Sequence, residues 1–207
     1  MSTILGNIGM IYKHLGDYNA ALENHNKALK FSKELGDKRG IASAYNNLGL
    51  TFHYLGQLDN VLDYYNQAKD LRLQLKDRKG LAHTLFLIGI LYENTSEYEM
   101  AKKYLEESFR IQKEIGIKKG SIVFETQMYL EIIKKQFGEQ YDKERILELL
   151  DQAESLDYVV YYRLYQLLDD LSYLKSAINE IEKLADAMSH PDEFINLPGA
   201  KVIIEKW

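Results

Sequence analysis

Apolar residues along the chain fall at helical spacing and then stop at glycines. Leu5, Ile8, Ile11, Tyr12 and Leu15 lie three and four residues apart, which places them on one side of a helix. Gly16-Asp17 interrupts the pattern, as a glycine that accepts the left-handed conformation does at a helix end. A second amphipathic stretch runs from about Tyr18 to Leu35 through Ala21, Leu22, His25, Ala28, Leu29 and Ser32. Gly36-Asp37 closes it, with Asp37 placed to cap the next helix.

The same pattern then returns. Tyr45, Leu48, Gly49, Phe52, Leu55-Gly56, Val61-Leu62, Tyr65, Ala68 and Asp77 repeat it, followed by Leu85, Ile88, Gly89, Tyr92, Tyr98, Ala101, Leu105 and Ser108. The period is 40 residues, since Gly9, Gly49 and Gly89 share one register and Gly40, Gly80 and Gly120 another. Tyr12, Phe52 and Tyr92 keep it, as do Ala28, Ala68 and Ser108. A fixed period in this range predicts a stack of similar helix pairs, each burying its apolar face against the next. Glycine on the first helix and alanine on the second predict a close approach within each pair.

After Gly120 the pattern decays. Ile122, Val123, Met128, Leu130, Ile132 and Ile133 predict a helix, but Tyr129 stands where glycine is expected and Phe137-Gly138 ends it late. Ile146, Leu147, Leu149, Leu150 and Ala153 predict its partner. A cryptic fifth pair follows from Val159 to Leu168, a turn at Asp169-Asp170, and Leu174, Ala177, Ile181 and Leu184. The organisation predicted is three well-formed repeats over 1–120, two degenerate pairs over 121–189, and a tail or cap over 190–207. That tail holds both prolines, Pro191 and Pro198, and cannot continue a regular helix through them. Val202-Ile203-Ile204 reads as a short helix or strand.

Composition narrows the function. Lys plus Arg number 26 against 31 Asp plus Glu, a net charge of -5 that argues against nucleic acid as a partner. The absence of cysteine excludes a disulfide framework and thiolate zinc sites. No basic segment followed by an apolar run opens the chain, and the longest uncharged apolar stretch, Thr84 to Tyr92, is too short to span a bilayer. The expectation is a soluble, cytoplasmic protein without a membrane span. The chain starts almost inside a repeat helix, without the polar cap that a solenoid end needs. That suggests a piece of a longer protein.

The large residue at Leu5, the small Gly9, the aromatic Tyr12, Gly16-Asp17-Tyr18, and the small Ala21 and Ala28 resemble the tetratricopeptide repeat signature. The unit is longer than the usual length of about 34 residues. It is similar to the long-repeat branch of Pins-type adaptors, kinesin light chains and Rap-type regulators, with Asn46-Asn47-Leu48-Gly49 and Leu35-Gly36-Asp37-Lys38 closest to the Pins-type repeats. The resemblance covers residues 4–120. It implies an all-α, right-handed superhelical solenoid of antiparallel helix pairs that acts as a scaffold or adaptor, binding a peptide in its concave groove. By the same resemblance the first helix of each pair lines that groove. The positions are Met10, Lys13 and His14; Asn46, Asn47, Leu50, His53 and Tyr54; and His83, Phe86, Ile90 and Glu93. Met10, Leu50 and Ile90 read either as an apolar ladder in the groove or as packing between neighbouring helices. A second reading makes the chain a regulatory or autoinhibitory sensor domain of a larger signalling protein, its tail with Phe194, Ile195 and Leu197 lying against the array.

Catalysis finds little footing. There is no glycine-rich phosphate loop, no His-Glu-x-x-His and no Gly-x-Ser-x-Gly. None of the five histidines pairs with another four residues away on a helix, so neither a metal nor a cofactor is expected. An enzyme would require His53 and His83 to converge with Glu93. His25 falls at a packing position and reads as structural. Lys38-Arg39, Arg78-Lys79 and Lys118-Lys119 recur every 40 residues, either as solvated surface or as a strip for an acidic partner. Each buried apolar anchor contributes about 1.5–3 kcal/mol, whereas micromolar binding needs about 8 kcal/mol net. Three anchors therefore predict a weak, micromolar peptide ligand, helical or extended. An uncapped end also predicts an end-to-end homodimer through the N-terminal helix.

Overall fold

A computed structural model describes residues 1–117, 121–151, 156–187 and 195–206. Among them the chain forms eleven helices and no strand. The repeats supply α1 (Ser2–His14), α2 (Tyr18–Glu34), α3 (Lys38–Tyr54), α4 (Val61–Gln74), α5 (Arg78–Asn94) and α6 (Tyr98–Glu114). Then come α7 (Ser121–Gln136), α8 (Lys143–Leu150), α9 (Tyr158–Leu168), α10 (Leu171–Asp186) and α11 (Pro198–Lys206). The fold is an all-α array of tetratricopeptide-like helix pairs. Val202–Ile204 lies in a helix, not a strand. Gly120, the Lys118-Lys119 pair, Ala153 and Phe194 lie outside the described residues.

The chain divides into two compact units. Unit 1 comprises Met1–Gly80 with Ile181–Lys206, and unit 2 is essentially Leu81–Glu180. In unit 1, α1 packs on α2, α3 on α4, and α3 also touches both α1 and α2.

Helix ends recur every 20 residues. Gly16, Gly36, Gly56 and Gly116 all have positive φ, as do Lys76 and Ser96 at the two intervening positions. Glycine adopts this conformation without steric cost, while Lys76 and Ser96 do not. Asp17, Asp37 and Asp77 then cap the following helices, accepting from the amides of Ala20, Gly40 and Gly80 at 2.9, 3.0 and 2.9 Å. Ile117 stands where the third repeat would place this aspartate.

The glycine of each first helix faces one large side chain of the second. A Cβ on Gly9 would meet the imidazole of His25, one on Gly49 the ring of Tyr65, and one on Gly89 the side chain of Leu105. These three partners are also 40 residues apart and all fully buried. The close approach is thus a side chain lying across a glycine, rather than two bare backbones meeting. A second buried row, Ser32, Arg72 and Gln112, carries polar groups that bond to neighbouring helices. Ser32 Oγ lies 2.5 Å from Ser2 Oγ, and Arg72 pairs with Asp77 and donates to Ser43 Oγ at 2.6 Å. Gln112 Nε2 donates to Ser108 Oγ at 3.0 Å and Thr126 Oγ1 at 3.1 Å.

In unit 2, α5 is buried on nearly every side, from Leu81 through Leu91. Its partner α6 stacks Tyr104 on Tyr92 with centroids 5.6 Å apart, and Ser108 Oγ donates to the Ala82 carbonyl at 2.7 Å. Tyr129, which replaces the expected glycine, is buried with its ring edge-on to Phe86 at 6.1 Å. The helix thus exchanges a small contact for a large aromatic one. Helices α9 and α10 cover the stretches expected for the cryptic fifth pair, and α9 packs against α7.

Candidate peptide-binding surface

In unit 1 the first helices α1 and α3 touch, so their same-register residues form one strip. Met10, Lys13, Asn47, Leu50, His53 and Tyr54 are half-buried and His14 is exposed. Tyr54 is the centre. Its ring stacks on buried Tyr18 at 5.6 Å, Lys13 Nζ lies 5.2 Å from its centroid, and His53 adjoins it at 6.5 Å. An ammonium over an aromatic face is attracted by the ring quadrupole, which holds the cation in place at the surface. The strip carries two apolar side chains, a ring and a fixed positive charge. Asn46 does not belong to it: at 2 % exposure it lies inside the unit.

Unit 2 repeats most of this register and departs from it chiefly at Glu93. His83 is exposed and Ile90 half-buried, but Phe86 and Glu93 are only 4 % and 5 % exposed. The expectation of an open row through Asn46, Phe86 and Glu93 is therefore corrected. Phe86 is packed against Tyr129 of α7, and Glu93 is covered by the chain itself. Arg163 of α9 reaches across 69 residues to donate to Asn94 Oδ1 at 2.6 Å and lies 2.8 Å from Glu93 Oε2. Its guanidinium also sits 5.9 Å from the Tyr129 centroid. Burial raises the Glu93 carboxyl above the usual range, and Arg163 offsets this only in part. Glu93 and Asn94 hold the register of His53 and Tyr54, so Arg163 of α9 covers in unit 2 the position where His53 stays half-open in unit 1, while Asn94 remains exposed. Arg163 is the residue that the local pattern did not single out. Its signal is a lone charge within the apolar run Tyr158–Leu168, matched by the lone acid of α5.

Among the described residues, no group of three or more His, Asp or Glu is close enough to hold a metal ion, and no helix is long and apolar enough to cross a membrane. The exposed pairs Lys38-Arg39 and Arg78-Lys79 stay at the surface. Burial pushes the Asp77 carboxyl up, but the Gly80 amide, Arg72 and, least, Arg39 together hold it below its usual range.

The tetratricopeptide repeat family model matches residues 1–74 and 41–114, more than half of the chain. The chain belongs to the tetratricopeptide repeat family. No curated protein matches it. Among solved structures, BtubC (BKLC) from P. vanneervenii is 22% identical with a TM-score of 0.58, over 72% of this chain and 60% of that one. A Rap protein in complex with Competence and Sporulation Factor gives a TM-score of 0.68 at 14% identity, over 99% of this chain and 62% of that one. A Podospora anserina putative kinesin light chain with nearly identical TPR-like repeats gives 0.57 at 14% identity, over 99% and 95%. The chain thus spans about 60% of the first two structures' length. At these identities the likeness is one of fold. Tetratricopeptide arrays are protein-interaction folds, and this chain is one by family and architecture.

Proposed function

We propose that this tetratricopeptide chain is a non-catalytic scaffold that binds a peptide segment on the α1–α3 strip of unit 1. The observation that carries the reading is that Met10, Leu50 and Tyr54 stay half-open beside Lys13, His14, Asn47 and His53 on two touching helices, whereas in unit 2 the position matching His53, Glu93, is covered by Arg163 of α9. The strip has one lysine, two histidines and no carboxylate, so an apolar segment carrying an acidic residue is the complementary ligand. Within unit 2, His83 and Ile90 are proposed as a separate contact surface of that unit; a cytoplasmic setting belongs to the proposal as well. With Arg163 of α9 over Glu93, the chain itself screens one position of the register in unit 2, where it would compete with an outside ligand. That supports the regulatory reading as second choice, with α9 as the competing segment.

The test is affinity capture from host lysate with wild type, Leu50→Glu and Leu73→Glu, where Leu73 is an exposed residue of α4. Circular dichroism first establishes that both variants fold. A partner captured by wild type and Leu73→Glu but lost by Leu50→Glu supports the strip. Equal capture by all three refutes it. Phe86→Glu is unsuitable for this purpose, because Phe86 is core.

A further inference from the structure

The outer face of α1 is the least explained surface of the molecule. Ile4 and Ile11 are 59% and 58% exposed, Leu15 is 43% exposed, and Met1 is exposed beside them, with Ile8 half-buried between. The 40-residue period says what these positions are. Ala44, Leu48 and Thr51 of α3 and Thr84, Ile88 and Leu91 of α5 occupy the same register, and all six are buried. In α3, which packs against α2, this seam is closed. In α1 the seam is open, and its side chains are larger: isoleucine replaces Ala44 and Thr84 at the first position, and Thr51 at the third. A face made only to seat another repeat's second helix would keep the small residue that the internal seams keep.

We propose that α1 associates with α1 of a second copy of this chain, antiparallel, about a twofold axis near Ile8. Met1, Ile4, Ile8, Ile11 and Leu15 are spaced three, four, three and four residues apart, the alternation that keeps an apolar seam facing a partner helix. The stripe is nearly symmetric about Ile8. Reversing one helix against the other sets Ile11 opposite Ile4 and Leu15 opposite Met1. A closed pair needs such self-complementarity, because both copies present the same patch. α1 contains no acidic residue, and its side-chain cations sit at the C-terminal end, so the antiparallel arrangement keeps Lys13 and His14 apart from those of the partner, where a parallel one would set them side by side. Lys13 is in any case turned onto Tyr54. Five side chains per copy make a small patch, below the roughly 1,200–2,000 Å² of total surface that stable specific interfaces bury. The expected dimer is consequently weak and concentration-dependent. The inference concerns self-association and does not depend on the peptide strip.

Sedimentation equilibrium on the whole chain, from low micromolar to the highest soluble concentration, tests it. Wild type shifts from one chain mass towards two as concentration rises. Ile4→Glu/Ile11→Glu stays at one chain mass, while Leu73→Glu on α4 behaves as wild type. A wild type that remains monomeric throughout overturns the proposal. So does association that persists in Ile4→Glu/Ile11→Glu, which would place the contact elsewhere. The chain has no cysteine, so a single Ile8→Cys gives an independent readout that does not need the charged variant to fold. Mild oxidation yields a disulfide-linked dimer at Ile8→Cys and none at Leu73→Cys. Equal cross-linking at the two positions contradicts a seam centred on Ile8.

Discussion

Two glycines of unit 1 respond to the same substitution with opposite sign. Gly6 lies in α1 with no atom within 4 Å of where a Cβ would stand. Alanine there removes backbone freedom from the unfolded chain and meets nothing, a gain of about 0.5–1 kcal/mol. Gly49 lies in α3, which is held by α1, α2 and α4. A Cβ at Gly49 would stand 2.6 Å from Tyr65 Cε1, 2.9 Å from Cδ1 and 3.3 Å from Cζ. Carbon atoms prefer about 3.5–4.0 Å, so the ring or the helix must move by roughly 1 Å. Tyr65 is fully buried and its phenol is a rigid plate, so the adjustment falls on the packed helices. Overpacking of this kind costs about 1–3 kcal/mol. After the propensity gain, Gly49→Ala destabilises by about 1–2 kcal/mol. For a chain of this size each kcal/mol moves Tm by about 2–4 °C. The two variants should therefore bracket wild type in thermal unfolding followed by circular dichroism, Gly6→Ala melting higher and Gly49→Ala lower. If Gly49→Ala melts with or above Gly6→Ala, the glycine period is not a packing device and the account of the helix pair is wrong.

Other consequences follow from the same geometry. Lys76 and Ser96 hold positive φ at positions where four other helix ends use glycine, so Lys76→Gly and Ser96→Gly should each stabilise by about 0.5–1 kcal/mol in urea unfolding; a loss at both sites would refute the strain argument. Burial, with a smaller effect from Lys13, lowers His25 from 6.5 to about 4. The folded state therefore resists a proton that the unfolded chain accepts. Stability should be full above about pH 6.5 and fall towards pH 4 by up to about 3 kcal/mol. His25→Leu, which copies Leu105 in the same register, should flatten that slope, and an unchanged slope would assign it to other groups. Arg163→Leu strands buried Glu93 and should cost about 3 kcal/mol, whereas Glu93→Leu/Arg163→Leu should recover most of the loss because a buried pair is weakly stabilising in itself. A double variant as unstable as the single one would show that Arg163 acts mainly through Tyr129 or Asn94.

Features encoded at short range were legible in the chain. Gly16 and Gly36 announce helix ends, Asp37 and Asp77 announce caps, and Gly9, Gly49 and Gly89 announce the pair contact, because each acts on residues a few turns away. Gly49 did not reveal what fills it, since His25, Tyr65 and Leu105 share size but not chemistry. The candidate surface was legible only in part. Met10, Lys13, Leu50, His53 and Tyr54 share the half-open strip, but Phe86 and Glu93 are hidden by α7 and α9. The cover of Glu93 depends on Arg163, which also meets Asn94 across 69 residues, a pairing with no periodic trace. Asn46 is polar yet internal, and polarity alone does not tell a buried amide from a solvated one.

The measurement closest to the central claim is selection of a displayed random-peptide library on wild type, Leu50→Glu and Leu73→Glu, each verified as folded. The account predicts that wild type and Leu73→Glu enrich a common set of apolar peptides carrying an acidic residue, and that Leu50→Glu loses them. Enrichment of the same peptides by Leu50→Glu would contradict a binding surface on the α1–α3 strip.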